Sequence, residues 1–180
     1  MKSVLISIRP KWVEKIANGE KTIEVRKTAP QEVPFKAYIY CTIGNGVKGD
    51  YLVPSGIQCG KVIGWFICDK VERLEEHIEQ GGLYYILSDT FNEQAQLDNW
   101  ELHDYGKGKP LYGWHISDLK IYDKPKELGD FKKHCHYKDR NSYCLANECE
   151  YYSDWTGICC NWVERPPLSW CYVEDLGEEE

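Results

Sequence analysis

A helix stop and a strand start share two residues in this chain, and the rest of the fold has to accommodate them. Asn18-Gly19 closes an amphipathic segment, because glycine reaches the left-handed conformation of a helix C-cap without a Cβ penalty. From Gly19 the sequence reads Gly-Glu-Lys-Thr-Ile-Glu-Val-Arg, ending at Arg26. Alternation places Ile23 and Val25 on one face of a strand and Thr22, Glu24 and Arg26 on the other. A carboxylate and a guanidinium therefore project from one side, with Lys21 at the strand's mouth. Such a set pairs internally or receives an anionic ligand. As a solvated ion pair it would contribute only about 0–1 kcal/mol.

Taken in order, the chain opens with a strand at Val4–Ile8. Pro10 suits a first helical position, having no N–H to leave unpaired. Trp12, Val13, Ile16 and Ala17 form one helical stripe up to Asn18-Gly19. The signature strand follows, closed by Pro30, and Phe35–Thr42 has strand composition. Residues 44–60 carry five glycines and one proline, the composition of a mobile loop. Lys61–Val71 reads as another strand and Leu74–Gln80 as a short helix stopped by Gly81-Gly82; residues 84–97 favour neither. Asp98 and Glu101 have capping-box spacing for a helix ending at Gly106. Leu111–Tyr122 reads as a strand closed by Lys124-Pro125, and Leu168–Val173 as the last strand. The acidic tail from Glu174 is expected to fray.

At 180 residues and 42% hydrophobic content, one domain with one sizeable core is the default. Seven Trp and thirteen Tyr outnumber four Phe, and aromatics with a polar edge suit half-buried surfaces on which bases stack. Filling a small barrel's core is the commoner use. The net charge of −7 is uneven: residues 1–40 hold eight Lys/Arg against four Asp/Glu, whereas the remainder is acidic throughout. Duplex DNA binding by bulk electrostatics is disfavoured, because it needs a broad basic surface. A focused anion site in the N-terminal segment is compatible with the charge. No leader-like N-terminus and no stretch of about 20 apolar residues is present, so a cytoplasmic protein without a membrane partner is expected.

The Gly19, Lys21, Glu24, Arg26 pattern resembles the signature of the ASCH domain family, a branch of the PUA-like barrels. Leu5–Lys11, Tyr112–Pro125 and Arg165–Val173 resemble the same family, and the four pieces occur in its order. The resemblance implies an α+β fold, a PUA-like (ASCH-type) small β-barrel with flanking short helices. Residues 1–125 and 163–176 would form the barrel, 126–162 a cysteine-rich insertion and 177–180 an acidic tail. It also implies an RNA or nucleotide-like ligand in a small cleft lined by Lys21, Glu24 and Arg26 and walled by the 44–60 loop and the strand after it. Arg9, Trp114 and His115, from two of the resembling stretches, are expected to join them in binding. One branch of the family removes the acyl group from N4-acetylcytidine with a Lys, a Thr and a distant Glu. Lys21 falls on that Lys, but Glu24 stands at the Thr position, and Thr22 does not replace it. Metal-independent RNA cleavage fits the residues present better. It needs a proton acceptor, a proton donor and a cation over the phosphorane, with Lys21 and Glu24 as the catalytic candidates.

Residues 126–162 hold five cysteines and little apolar periodicity. A segment without its own core needs a staple, and in a reducing compartment that staple is zinc. Cys135, Cys144, Cys149 and Cys159 are the ligand candidates for a tetrahedral site, with Cys160, His134 and His136 as alternates. The spacing lacks a Cys-x2-Cys knuckle, and reduced thiols packed as small apolar groups are the competing reading. Cys171 is assigned to the barrel, and Cys41, Cys59 and Cys68 have no assigned role. Tyr151, Tyr152, Trp155 and Trp162 would suit an interaction module docking a partner protein through this lobe.

Overall fold

The computed structural model describes residues 1–43, 56–79, 82–88, 90–134, 152–153, 158–159 and 161–177. Two sheets and three short helices make up the α+β body. Strands β1 (Lys2–Ile8), β2 (Ile23–Arg26), β3 (Phe35–Cys41), β4 (Val62–Cys68), β5 (Val71–Glu79) and β6 (Gly82–Ile86) precede β7 (Leu111–His115) and β8 (Ser117–Lys126). The two-residue strands β9 (Tyr152–Ser153) and β10 (Ile158–Cys159) pair with each other, and β11 (Trp170–Val173) ends the series. Helices α1 (Pro10–Ala17), α2 (Phe91–Ala95) and α3 (Asn99–Gly106) flank the sheets. None of the described helices is long and apolar enough to cross a membrane.

One sheet has the order β11-β1-β3-β4-β8, the other β2-β7-β5-β6. Among the described strands only β1 and β3 run parallel, with Leu5 opposite Tyr38 and Ile6 opposite Ile39. The chain passes between the sheets at two corners, Cys68 to Val71 and His115 to Ser117, as in a barrel. Pairing among the described residues nevertheless runs as two sheets and does not close into one ring.

Central strands explain the apolar runs. Every residue of Phe35–Cys41 is buried, which requires cover on both faces. Phe35, Ala37 and Ile39 share a core with Val4, Ile6, α1 and Trp114. Tyr38 and Tyr40 face a separate core with Leu5, Phe131, Val163 and Val173. The third core is built on Ile23, Val25, Leu74 and Leu111, and α2 and α3 cover it through Phe91, Ala95 and Leu102.

Several sequence expectations hold. Pro10 opens α1, Gly19 takes φ +75°, and Asp98 and Glu101 form a reciprocal capping box. Others need correction. Of the expected helix Leu74–Gln80, the described residues Leu74–Glu79 are strand: Leu74 pairs with Leu111, and Glu75–Glu79 pair with Gly82–Ile86. Pairing with β7 at Leu74 and with β6 from Glu75 on decides a segment whose helical pattern is one turn long. The expected Lys61–Val71 and Leu111–Tyr122 strands each break into two, because each turns a corner between sheets. Pro125 does not close β8, which runs on to Lys126. The tail from Glu174 does not fray through Gly177. Glu174 N–H donates to Lys132 O, and Tyr38 donates to Asp175 Oδ1 at 2.5 Å.

Of the glycine-rich 44–60 segment only residues 56–60 are described. At its base Cys41 and Cys59 are buried with their Sγ atoms 3.4 Å apart. Burial pushes the Cys41 thiol up, and Cys68 up to about 12, so both stay protonated and pack as apolar groups.

Candidate functional site

The turn after α1 decides where Lys21 goes. Gly19 N–H donates to Ile16 O, and the Glu20 and Lys21 amides both donate to Lys15 O, which folds the chain back under the helix. Thr22 N–H then donates to Gln94 O, while Ile116 N–H donates to Thr22 O. Lys21 is thereby carried inside, 2% exposed. Its Nζ donates to Ala95 O at 2.5 Å and lies 3.5 Å from Glu24 Oε2.

The polar face of β2 points into the space between the sheets. Register places Glu24 opposite Trp114 and Arg26 opposite Tyr112. Arg26 Nη2 lies 3.0 Å from Glu24 Oε1 and donates to Ser7 O at 2.6 Å. Ser7 in turn donates from Oγ to Pro167 O at 2.7 Å and from its amide to Ser169 O at 2.9 Å. Trp170 Nε1 donates to Thr28 Oγ1 at 3.0 Å. The signature strand, β1 and the segment before β11 thus meet at one place.

Charge at that place does not balance. Among the described residues Lys21 and Arg26 face a single carboxylate, Glu24, and all three residues are at most 9% exposed. Burial lowers the Lys21 pKa; Glu24 opposes that shift, and Arg26 and Lys15 reinforce it. Two buried N–H groups on the same face of the β2–β7 pair, Arg26 Nε and Trp114 Nε1, have no acceptor among the described residues. At the edge of the network three lysine Nζ atoms converge on the half-buried Trp12 ring, those of Lys11, Lys21 and Lys15 at 4.0, 5.1 and 5.9 Å from its centroid.

Structures of the same architecture have been solved. ASCH from Zymomonas mobilis superposes with a TM-score of 0.55 at 17% identity, covering 96% of this chain and 88% of that one. The chain has an ASCH-type fold. Two variants of the Zymomonas mobilis ASCH protein, a tyrosine-to-phenylalanine and a serine-to-alanine substitution, each superpose at a TM-score of 0.53 and 16% identity. They cover 97% and 96% of this chain, and 91% and 89% of their own. No family model and no curated protein matches the sequence.

Within this ASCH-type fold the expected site residues divide. Lys21, Glu24 and Arg26 come together, but as an interior network that pairs with itself; neither a solvated face nor an open cleft wall describes them. Trp114 joins them on the same strand face, fully buried against Phe35 and Trp170. His115 does not. One residue on, it lies opposite Ile23, with Nε2 3.3 Å from Glu72 Oε2. Arg9 is exposed at the N-cap of α1 and makes no hydrogen bond or ion pair with the set among the described residues. Ser7, Trp12, Lys15 and Ala95 were not anticipated. Only Trp12 carried a signal, since Lys11 precedes it and Lys15 follows one turn later.

Of the zinc candidates, Cys135, Cys144 and Cys149 lie outside the described residues, and only the backbone of Cys159 is described. Among the described residues no three His, Cys, Asp or Glu side chains gather as a metal site. Tyr151 and Trp155 also lie outside. Trp162 is 38% exposed, with Lys132 over its ring and their backbones bridged.

Proposed function

We propose that the chain binds an anionic, nucleotide-like ligand, RNA foremost, at the Lys21–Glu24–Arg26 network. The observation that carries this reading is the buried surplus of positive charge with Arg26 Nε left open beside it. An unbalanced charge inside a protein is costly. It is relieved when Lys21 gives up its proton or when an acceptor such as a phosphate or base carbonyl arrives. Arg26 suits that acceptor because its fork offers parallel donors. Trp114 Nε1 supplies another donor on the same face.

A catalytic reading has one observation of its own. An ammonium whose pKa burial lowers holds its proton loosely, and beside Glu24 it can pass that proton during RNA cleavage. Amide hydrolysis on the acetylcytidine pattern lacks its hydroxyl, because Glu24 stands at that position and is engaged by two cations.

Low-salt titration of single-stranded RNA, a nucleoside monophosphate and duplex DNA tests the binding reading. The first two are expected to bind more tightly than the duplex. Arg26→Lys, which keeps the charge and removes Nε, should weaken them roughly tenfold, the loss of about one charge-assisted hydrogen bond. Equal or tighter binding of the duplex, or unchanged affinity in a folded Arg26→Lys variant, would overturn it. Product analysis of the same RNA incubations separates turnover from binding.

A further inference from the structure

We infer that the group taken by the interior site is an oxyanion of the phosphate class, held by Arg26 Nε and Trp114 Nε1 beside Lys21, and that the base of a nucleotide contributes little to its binding. The inference rests on the proposed binding function and deepens it, choosing between a phosphate and a base carbonyl as the acceptor the network receives. Glu24 lies opposite Trp114 and Arg26 opposite Tyr112, so Arg26 and Trp114 are diagonal neighbours on one face of the β2–β7 pair. Such neighbours stand about 7–8 Å apart at the backbone, within the span of two long side chains that meet on one small group. Arg26 is 9% exposed and Trp114 fully buried, and each keeps an N–H without an acceptor among the described residues.

What this face leaves over is donors. Its acceptors are taken: Glu24 Oε1 and Ser7 O by Arg26 Nη2, and Ala95 O by Lys21 Nζ, which also lies 3.5 Å from Glu24 Oε2. The buried side-chain oxygens without a partner, Ser3 Oγ, Asn92 Oδ1 and Asn161 Oδ1, belong to β1, α2 and the stretch beyond β10, none of them to the β2–β7 pair. The indole is also held in place, edge-on to Phe35 at 5.0 Å and to Trp170 at 5.7 Å between centroids. Trp170 in turn is fixed by its own Nε1 donating to Thr28 Oγ1. A fixed face that only donates suits a ligand that only accepts, which is the character of an ionised oxyanion.

Charge then decides among acceptors. A water molecule, or the O6 and N7 edge of guanine, can also accept from such donors, but both are neutral. Lys21 and Arg26 stand against one carboxylate, Glu24, and Lys15 adds a further positive charge toward Lys21 while its own hydrogen bond goes to the neutral Gln96 Oε1. A neutral acceptor satisfies the two N–H groups and leaves that excess in place. An oxyanion removes both costs together. A single negative charge is enough for this, and the diester of an RNA backbone and the terminal phosphate of a free nucleotide both supply it.

The full chain is titrated at low salt with guanosine monophosphate, cytidine monophosphate, ribose phosphate, guanosine and a dinucleoside phosphate that carries only an internal diester. The two monophosphates and ribose phosphate should bind within about threefold of one another and be displaced by inorganic phosphate, whereas guanosine should bind at least roughly tenfold more weakly, the loss of a charge-assisted contact. Binding of the dinucleoside phosphate at the strength of the monophosphates assigns the oxyanion to an RNA backbone; binding of the monophosphates alone assigns it to a terminal phosphate, and either supports the inference. Trp114→Phe, which keeps an aromatic ring in the packing, should weaken every oxyanion probe roughly tenfold and leave guanosine unchanged. Guanosine binding as tightly as its monophosphate, or unaltered oxyanion affinity in a Trp114→Phe chain whose thermal melt matches the parent, would overturn the oxyanion while leaving a nucleotide-like ligand standing. Failure of every probe would overturn both. Should Trp114→Phe not fold, the ranking of probes on the unsubstituted chain decides alone.

Discussion

Glu24 is the residue on which the interior charge depends. It is the one carboxylate between two buried cations, so Glu24→Gln leaves Lys21 and Arg26 facing each other without compensation. Breaking a buried pair in this way costs about 3–5 kcal/mol, and chemical denaturation of the variant should show a loss of that size. A change under about 1 kcal/mol would mean that Glu24 does not compensate the two cations in the folded chain. Lys21 itself predicts a pH dependence. Its folded pKa is lowered, so the unfolded chain holds the proton more tightly, and stability rises with pH through the window from the folded value up to the ordinary 10.5. Tyr38 and Tyr40, whose hydroxyls burial pushes up, act with the opposite sign at high pH. The informative comparison is therefore with Lys21→Met, in which those tyrosines are unchanged. The stability difference should move in favour of the parent as pH rises toward the ordinary 10.5; a flat difference would contradict the lowered pKa. The sequence made the composition of this network legible, and alternation correctly grouped Glu24 with Arg26. Its burial was not legible, because alternation says which side chains share a face and not what lies opposite. Charged residues are rarely buried unless paired, and the partners that complete this set, Ser7 O and Ala95 O, are backbone carbonyls with no mark in the sequence.

At the scale of elements, strands were recognised where they are buried on both faces and misplaced where they turn corners. β3 stands out because seven consecutive buried residues leave a continuous apolar run. β5 does not, since its outer half, Glu75–Glu79, pairs only with β6 and offers charges that read equally well as one helical turn. The corner at Ile116 is also silent in composition: apolar residues continue across it, and only the change of partner, β7 to β5 and β8 to β4, reveals it. At Gly64, β4 lies directly against β8, opposite Ile121. A Cβ at that position would collide with Lys120 O and stand 2.9 Å from Ile121 Cα. Both are backbone atoms, which cannot rotate away as a side chain does. Gly64→Ala should therefore destabilise by about 1–3 kcal/mol or more through overpacking. Amide hydrogen exchange should show the loss of protection concentrated in β4 and β8. Protection lost evenly across both sheets would argue against a local clash.

Over the whole molecule, the first and last strands are neighbours, and the chain's end locks the middle of the larger sheet. β1 pairs with β11 on one side and β3 on the other. Just past β11, Asp175 accepts from Tyr38 and lies 3.2 Å from the Lys36 ammonium, while Leu176 N–H donates to Tyr38 Oη at 3.1 Å. Lys36 is 4% exposed, with its Nζ 4.6 Å from the Trp65 ring centroid and 5.2 Å from that of Tyr38. Asp175 is thus the carboxylate that allows a lysine inside β3. No residue type marks this anchor in advance, since an acidic tail after a last strand has the composition of a fraying end. Burial works against the charged form of Asp175, but the Tyr38 hydroxyl and the Lys36 ammonium outweigh it, and the net effect holds the carboxyl below its usual 3.8. A carboxylate with a depressed folded pKa contributes stability that is complete above the unfolded value and disappears as pH falls through the folded one. The comparison is between the parent and Asp175→Asn, which keeps the shape and removes the charge. The parent should melt higher by a constant margin above about pH 5, and the margin should close as pH drops below the ordinary carboxylate range. Lys36→Met should remove much of the margin by deleting the ammonium that Asp175 serves. A margin that persists unchanged at low pH would assign the anchoring to Leu176 and the backbone instead of to the carboxylate.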